Sequence, residues 1–270
     1  MKAMIFAAGL GTRLKPLTDN IPKALVPLAG KTLLQWQIER LKSAGITDIV
    51  INVHHFPDMI INYLRENDNF GCRISVSDER DMLLETGGGL RKARRLLSNN
   101  EYEEANTNHE PILVCNVDIL SNIDIPALLN AYNPKETGIV VVSKRDTQRY
   151  LLFDSTNRLC GWTNISTREV KPASLSEKVK TENEQIKSEN DTLNMLAFSG
   201  MQVLNPCIFD LMDELAKQKG EKFSLIDLYI HIAEKEILRA FIPENYRMMD
   251  VGKINQLSEA ETFAQTLQIP

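Results

Sequence analysis

Lys2-Ala3-Met4-Ile5-Phe6-Ala7-Ala8-Gly9-Leu10-Gly11-Thr12-Arg13 is the stretch on which the fold turns. The apolar run over Lys2 to Phe6 reads as a buried first strand. Gly9 and Gly11, one residue apart directly after it, let the backbone turn sharply and set bare N–H groups against an anion. Arg13 supplies a bidentate fork for phosphate oxygens and Lys23 a mobile point charge. Pro16, Pro22 and Pro27 restrict the chain between these cations, so a stiff segment presents them. Two familiar phosphate loops are excluded. A dinucleotide fingerprint needs glycine where Leu14 stands, and no G-x-x-x-x-G-K-[ST] run is present. The pattern reads as a grip for a triphosphate.

Working outward, strands and helices alternate. Thr32 to Ala44 carries a capping pair, Thr32 and Gln35, an apolar stripe and a stop at Gly45. Asp48 to Val53 reads as a second strand, Pro57 to Glu66 as a helix and Arg73 to Ser77 as a third strand. This order predicts an α/β, Rossmann-like three-layer fold with a mostly parallel sheet, whose ligands sit beyond the carboxyl ends of the strands. Glu85-Thr86-Gly87-Gly88-Gly89 is expected to precede a helix from Leu90 to about Leu97, because three glycines are costly inside one. They read as a close-approach surface for a flat ligand or as a flexible turn. Asn99 to Glu110 is polar and reads as a loop. Ile112 to Cys115 is a strand that runs into Asn116-Val117-Asp118, which points the Asp118 carboxylate at the same crevice, as a Mg²⁺ ligand or as a turn cap.

Further helices and strands follow at Ile125 to Tyr132, Gly138 to Ser143 and the hairpin Tyr150–Phe153/Arg158–Trp162. Arg149 and Asn164 flank that hairpin, as ligand contacts or as solvated groups. Ser174 to Thr192 has too little apolar surface to fold alone, and reads as a thin amphipathic helix or an exposed insertion. Leu196 to Gly200 is a strand, with Gly200 placed for a ligand or for a bulge. Pro206 to Ala216 and Ser224 to Glu234 are helices, and Ile237 to Phe241 is a strand. Asp250-Val251-Gly252 is followed by a closing helix over Asn255 to Gln265.

Composition narrows the function. A net charge of −5 gives no electrostatic footprint for nucleic acid, so an anionic ligand needs a local cluster of cations. No apolar run reaches the length of a membrane span, and the start lacks the cleavage site of a signal peptide. Cys72, Cys115, Cys160 and Cys207 are scattered, which fits a reducing, cytoplasmic setting better than disulfides or a zinc site. The four histidines form no cluster and read as surface or loop residues.

Ala7 to Thr18 together with Pro22-Lys23-Ala24-Leu25-Val26-Pro27 resembles the opening of the sugar-1-phosphate nucleotidyltransferases, and the likeness extends over nearly the whole chain apart from the polar insertion. The resemblance implies a reaction between a nucleoside triphosphate and a sugar 1-phosphate that releases pyrophosphate. It implies nucleotide contacts at Ala8, Gly9, Gly11, Thr12, Arg13, Lys23, Glu85, Thr86, Gly87 and Gly88, with Arg13 and Lys23 catalytic. It implies sugar-phosphate contacts at Asn116, Arg149, Asn164 and Gly200, and Mg²⁺ on Asp118 and Asp250. One nucleotidyltransferase domain over 1–270 follows, with a sugar-side lobe at 144–199 and a polar insertion at 165–192.

The sequence departs from the family where many members carry a Glu-Lys pair that grips the sugar phosphate; no such pair stands out. Only 18 residues follow Gly252 and no hexapeptide repeat appears, so the β-helix of larger relatives is not expected. Among short members, UTP with N-acetylmuramate 1-phosphate is the leaning pair. Guanylyl transfer to mannose or heptose 1-phosphate and cytidylyl transfer to phosphocholine stay open, as does the oligomeric state. A non-catalytic regulatory subunit that binds a nucleotide sugar predicts loss of Arg13, Lys23 or an aspartate, and all four are present. A glycosyltransferase calls for D-x-D, of which Asn116-Val117-Asp118 is half.

Overall fold

The computed structural model describes residues 1–98, 110–178, 180–182, 185–187 and 192–267. Its centre is a mixed sheet. From one edge the strands run Glu169–Lys171, Leu159–Asn164, Arg149–Phe153, Thr192–Leu204, Ile112–Asn116, Lys2–Phe6, Asp48–Val53 and Arg73–Asp78. The last four are mutually parallel, and Thr192–Leu204 lies antiparallel to Ile112–Asn116. Gly138–Ser143 pairs with Thr192–Leu204, and Leu238–Phe241 adds to it in parallel. The parallel sheet and the strand positions expected from the sequence are therefore present.

Helices cover both faces because the central strands are apolar on both. Ala3, Ile5, Ile49, Ile51 and Leu113 pack into one core with Leu34, Ile38 and Leu41 of the helix Leu33–Ser43 and with Ala260 and Ala264 of the helix Leu257–Thr266. Met4, Val50 and Val114 point the other way. They meet Leu90 of Glu85–Lys92, Met212 of Ile208–Lys219 and Leu228 of Leu225–Ile232. A third, small cluster around Leu152 and Leu193 lies under the hairpin strands Arg149–Phe153 and Leu159–Asn164. The caps read from the sequence are made: Thr32 Oγ1 accepts from Gln35 N at 3.0 Å, and Ser224 and Asp227 form a reciprocal capping box.

Two expectations need correction. Gly87, Gly88 and Gly89 do not precede a helix; they lie inside one, Glu85–Lys92, which is followed by the short helix Arg94–Leu97. The Ser174–Thr192 stretch is not one amphipathic helix. A short helix, Ala173–Lys178, gives way to small strands at Lys180–Glu182 and Gln185–Lys187, the second of which pairs with the start of Thr192–Leu204. His231, expected at the surface or on a loop, is half-exposed on the helix Leu225–Ile232. The loop expected over Asn99 to Glu110, with His109, lies outside the described residues except for its last position.

Candidate active site

The end of the first strand opens into a cleft of about 450 Å³, with Ala8, Gly9, Gly11, Thr12, Arg13 and Lys23 on one side. Gly11 has φ +65°, and a Cβ there would lie 2.8 Å from Thr18 Cγ2, so the turn depends on glycine. Thr18 Oγ1 donates to the Gly11 carbonyl at 2.8 Å and folds the loop back on itself. Gly9 has open space where a side chain would stand, which leaves its backbone approachable from the cleft. Lys23, in a single turn Lys23–Leu25, has a side chain only 10% exposed, and its Nζ donates to Asp118 Oδ2.

The two aspartates meet through a ribbon the sequence did not reveal. Ile119–Ser121 pairs antiparallel with Met248–Asp250, setting Asp250 opposite Ile119, and Val251 N donates to the Asp118 carbonyl at 2.8 Å. The ribbon is held from behind by the first helix. Gln37 Nε2 donates to the Ile119 carbonyl at 2.8 Å, and the buried Arg40 donates to Ser121 Oγ at 2.8 Å and to Gln37 Oε1 at 2.6 Å. Arg13 stands 3.9 Å from Asp250. Burial and the nearby Asp118 push the Asp250 carboxyl above its ordinary range, against the pull of Lys23, Arg13 and Arg145. Asp250 Oδ1 is buried and has no hydrogen-bond partner among the described residues.

On the opposite wall stand Leu83, Glu85, Thr86 and Ser224. Here the glycines make close contacts within the chain itself. The amides of Gly87 and Gly88 both donate to the Phe223 carbonyl, at 2.9 and 3.0 Å. A Cβ on Gly87 would lie 2.5 Å from the Phe223 ring, and one on Gly88 would run into the Glu221 carbonyl. Gly89 gives room to Glu79, whose Oε1 lies 2.6 Å from where its Cβ would be. The glycines thus admit parts of the protein, and neither Gly87 nor Gly88 lines the cleft. Glu85, with φ +63°, and Thr86, whose Oγ1 accepts from Leu225 N at 2.9 Å, remain at the wall.

Asn116 lines the cleft, and Gly200, at φ +73°, packs where a Cβ would meet Ile119 at 2.7 Å and Asn116 Nδ2 at 3.3 Å. Gly200 therefore supports the Asn116–Asp118 turn. Arg149 and Asn164 face each other across the hairpin. Neither lines the cleft, and Asn164 Oδ1 accepts from Ser166 N at 3.0 Å. Asn52 and Glu79, which the sequence reading passed over, root the site from below. Asn52 Oδ1 accepts from Ala7 N at 2.8 Å, and Glu79 Oε2 accepts from Leu84 N at 3.2 Å. The signal for Asn52 was a polar residue inside an apolar strand run, DIVINV; Glu79 follows the next strand with no such mark.

A glycine turn at the head of a parallel sheet, with Arg13, Lys23 and Asp118 lining one cleft and Asp250 3.9 Å from Arg13, is an arrangement suited to anionic ligands on an α/β fold. The profile of the Nucleotidyl transferase family matches residues 2–266, and the chain belongs to that family. It is 37% identical over 159 residues to an N-acetylmuramate alpha-1-phosphate uridylyltransferase of Caulobacter vibrioides, 57% of this chain and 62% of that one. It is 43% identical over 127 residues to the Neisseria meningitidis serogroup B protein of the same description, 47% and 51% of the two chains. A mannose-1-phosphate guanyltransferase beta-B of Xenopus laevis is 35% identical over 153 residues, 56% of this chain and 40% of that one. The matches thus span 40% to 62% of these relatives' lengths.

Among solved structures, a UDP-glucose pyrophosphorylase complexed with UDP-glucose superposes with a TM-score of 0.70 at 20% identity, covering 98% of each chain. HddC from Yersinia pseudotuberculosis, complexed with GMP-PN, gives 0.67 at 20% identity, covering 97% of this chain and 99% of its own. These likenesses show the fold. No helix among the described residues is long and apolar enough to cross a membrane.

Proposed function

We propose that this chain transfers a nucleotidyl group from a nucleoside triphosphate to a sugar 1-phosphate and releases pyrophosphate, with UTP and N-acetylmuramate 1-phosphate as the favoured pair. The observation that carries this reading is the alternation of charge at one point of the cleft. Lys23 pairs with Asp118 and Arg13 approaches Asp250 beside the glycine turn. Two polyanionic reactants need such an arrangement, since repulsion and alignment are the main barriers between them. Sequence similarity to the N-acetylmuramate alpha-1-phosphate uridylyltransferases supports the substrate pair, and similarity to mannose-1-phosphate guanyltransferases supports GTP with mannose 1-phosphate as the second reading.

Members of this family generally use a divalent metal, and the residues here fit one. Asp250 Oδ1 is a buried carboxylate oxygen without a partner, and Asp118 brings a second carboxylate close to it. A pair of carboxylates with room for phosphate and water suits Mg²⁺. When held by Asp118 and Asp250, Mg²⁺ would supply positive charge to offset the negative charge that builds up during transfer. The rest of the chemistry belongs to the chain. The Gly9–Arg13 turn and the Arg13 guanidinium hold the pyrophosphate portion, and Lys23 neutralises the α-phosphate as it is attacked. Glu85 and Thr86 form the wall for the base. No general base is needed, because a sugar phosphate is already ionised at neutral pH. We read residues 144–199 as a lobe on the sugar side and the setting as cytoplasmic.

The test is pyrophosphate release with UTP, GTP, CTP and dTTP against N-acetylmuramate, mannose, heptose, glucose and N-acetylglucosamine 1-phosphates. One productive pair, silenced by Lys23→Ala or Asp118→Asn, supports the reading. Silence of the wild type across the panel, with nucleotide sugars still bound, replaces it with a regulatory role.

A further inference from the structure

Arg145 stands on the loop that follows the strand Gly138–Ser143 and is exposed. One Nη donates to the Phe198 carbonyl at 3.1 Å, which fixes the guanidinium beside the strand Thr192–Leu204. The base of its loop is tied to the same strand, with Ser143 Oγ and Ser199 Oγ 3.3 Å apart. From Phe198 it is two residues to Gly200, which packs on Asn116 and Ile119, the residues either side of the Val117–Asp118 turn. Arg145 therefore flanks the Asn116–Asp118 turn from the strand side, whereas Arg13 and Lys23 stand on the side of the glycine turn. Among the described residues no carboxylate comes within ion-pair distance of Arg145.

We propose that Arg145 binds the phosphate of the sugar 1-phosphate and so sets the affinity for the second substrate; this rests on the transfer reaction proposed above. The argument is one of supply. The triphosphate engages Arg13, Lys23 and the loop amides, so a second phosphate drawn to the same carboxylate pair needs a cation of its own. Arg145 is anchored by one backbone contact and keeps its other N–H donors for a ligand, in the fork geometry that matches phosphate. Arg149, at the start of the hairpin strand, faces Asn164 instead and serves as the control.

The experiment titrates UTP, and separately the N-acetylmuramate, mannose and glucose 1-phosphates, against wild type, Arg145→Ala, Arg145→Lys and Arg149→Ala. Calorimetric affinities are read alongside KM for each substrate. The expected result is a 10- to 100-fold weaker affinity for the sugar 1-phosphate in Arg145→Ala, the scale of a lost charged hydrogen bond. UTP affinity stays within twofold of wild type, Arg145→Lys recovers part of the loss, and Arg149→Ala matches wild type. Unchanged sugar-phosphate affinity in Arg145→Ala, or an equal loss for UTP, overturns the assignment. So does a wild type that binds none of the three sugar phosphates. A wild type that releases no pyrophosphate yet binds a sugar phosphate through Arg145 removes the transfer reaction and leaves the site standing. Undiminished transfer with unchanged KM in Arg145→Ala does the reverse.

Discussion

Asn52 donates through Nδ2 to Glu79 Oε1 at 2.7 Å, and its other amide atom accepts the Ala7 N–H, so one buried side chain joins the root of the phosphate turn to the next strand end. Glu79 in turn accepts from Leu84 N, just before the helix that carries Glu85 and Thr86. The two walls of the cleft are thereby tied together beneath it. Asn52→Leu would leave the Ala7 amide and a Glu79 oxygen buried without partners, at about 1–3 kcal/mol each. A urea titration should show wild type ahead of the variant by about 3 kcal/mol. Because Ala7 is the root of the triphosphate turn, KM for the nucleotide should rise more than KM for the sugar phosphate.

Glu79 also makes stability depend on pH. Burial raises its carboxyl above the ordinary glutamate range, in spite of the hydrogen bonds from Asn52 and Leu84 and the charges of Lys92 and His54. Between the ordinary value and the raised one the folded chain binds more proton at this site than the unfolded chain, so stability falls as pH rises through that window and levels off above it. Glu79→Gln removes the titration. Its amide meets a donor where the carboxylate met one, a cost that does not vary with pH. Urea midpoints measured from pH 4 to pH 8 should therefore show the variant gaining on wild type as pH rises. A constant difference between the two would show that Glu79 is not perturbed.

Much of this arrangement was legible in the sequence, because local signals carry it. The glycines and prolines around Arg13 fix a turn within a few residues, and the alternation of apolar runs with capped helices fixes a parallel sheet. Asp118 follows directly from standing at the end of such a strand. The ribbon that joins it to Asp250 was not legible, since Ile119–Ser121 and Met248–Asp250 are three-residue strands far apart in the chain. Nor was the use of Gly87 and Gly88. Composition shows that a side chain is missing, but only the fold shows that Phe223 and Glu221 fill the gap. Arg145 carries no motif at all; its place depends on which strand its loop lies against.

The glycine reading can be decided by substitution. Gly88→Ala puts a methyl group into the Glu221 carbonyl, and backbone cannot step aside as a flexible side chain can. Overpacking of this kind costs about 1–3 kcal/mol. The expected outcome is a melting temperature several degrees lower, with KM for the nucleotide near wild type in the folded enzyme. A stable variant with greatly raised KM would return these glycines to the nucleotide site.

Lys23 and Asp118 provide the last test, since each neutralises the other at the wall of the cleft. Their side chains are 10% and 20% exposed, so removing one partner strands a charge in a mostly buried place. Lys23→Ala leaves Asp118 beside Asp250 with less cation to balance them. Breaking a fully buried pair costs about 3–5 kcal/mol, and the partial exposure of Asp118 brings the expected loss to about 2–3 kcal/mol. Asp118→Asn alone strands Lys23 in the same way. The double variant Lys23→Ala/Asp118→Asn removes both charges and should recover much of that stability. Turnover should behave differently, because in the proposed reaction each group also acts on phosphate charge that arises only during transfer. Each single variant should lose on the order of 10²–10³ in kcat, and the double variant should regain none of it. Stability that recovers in the double variant while turnover does not separates the ion pair's work in the resting protein from its work in the reaction. Parallel behaviour of the two readouts would assign the pair to folding alone.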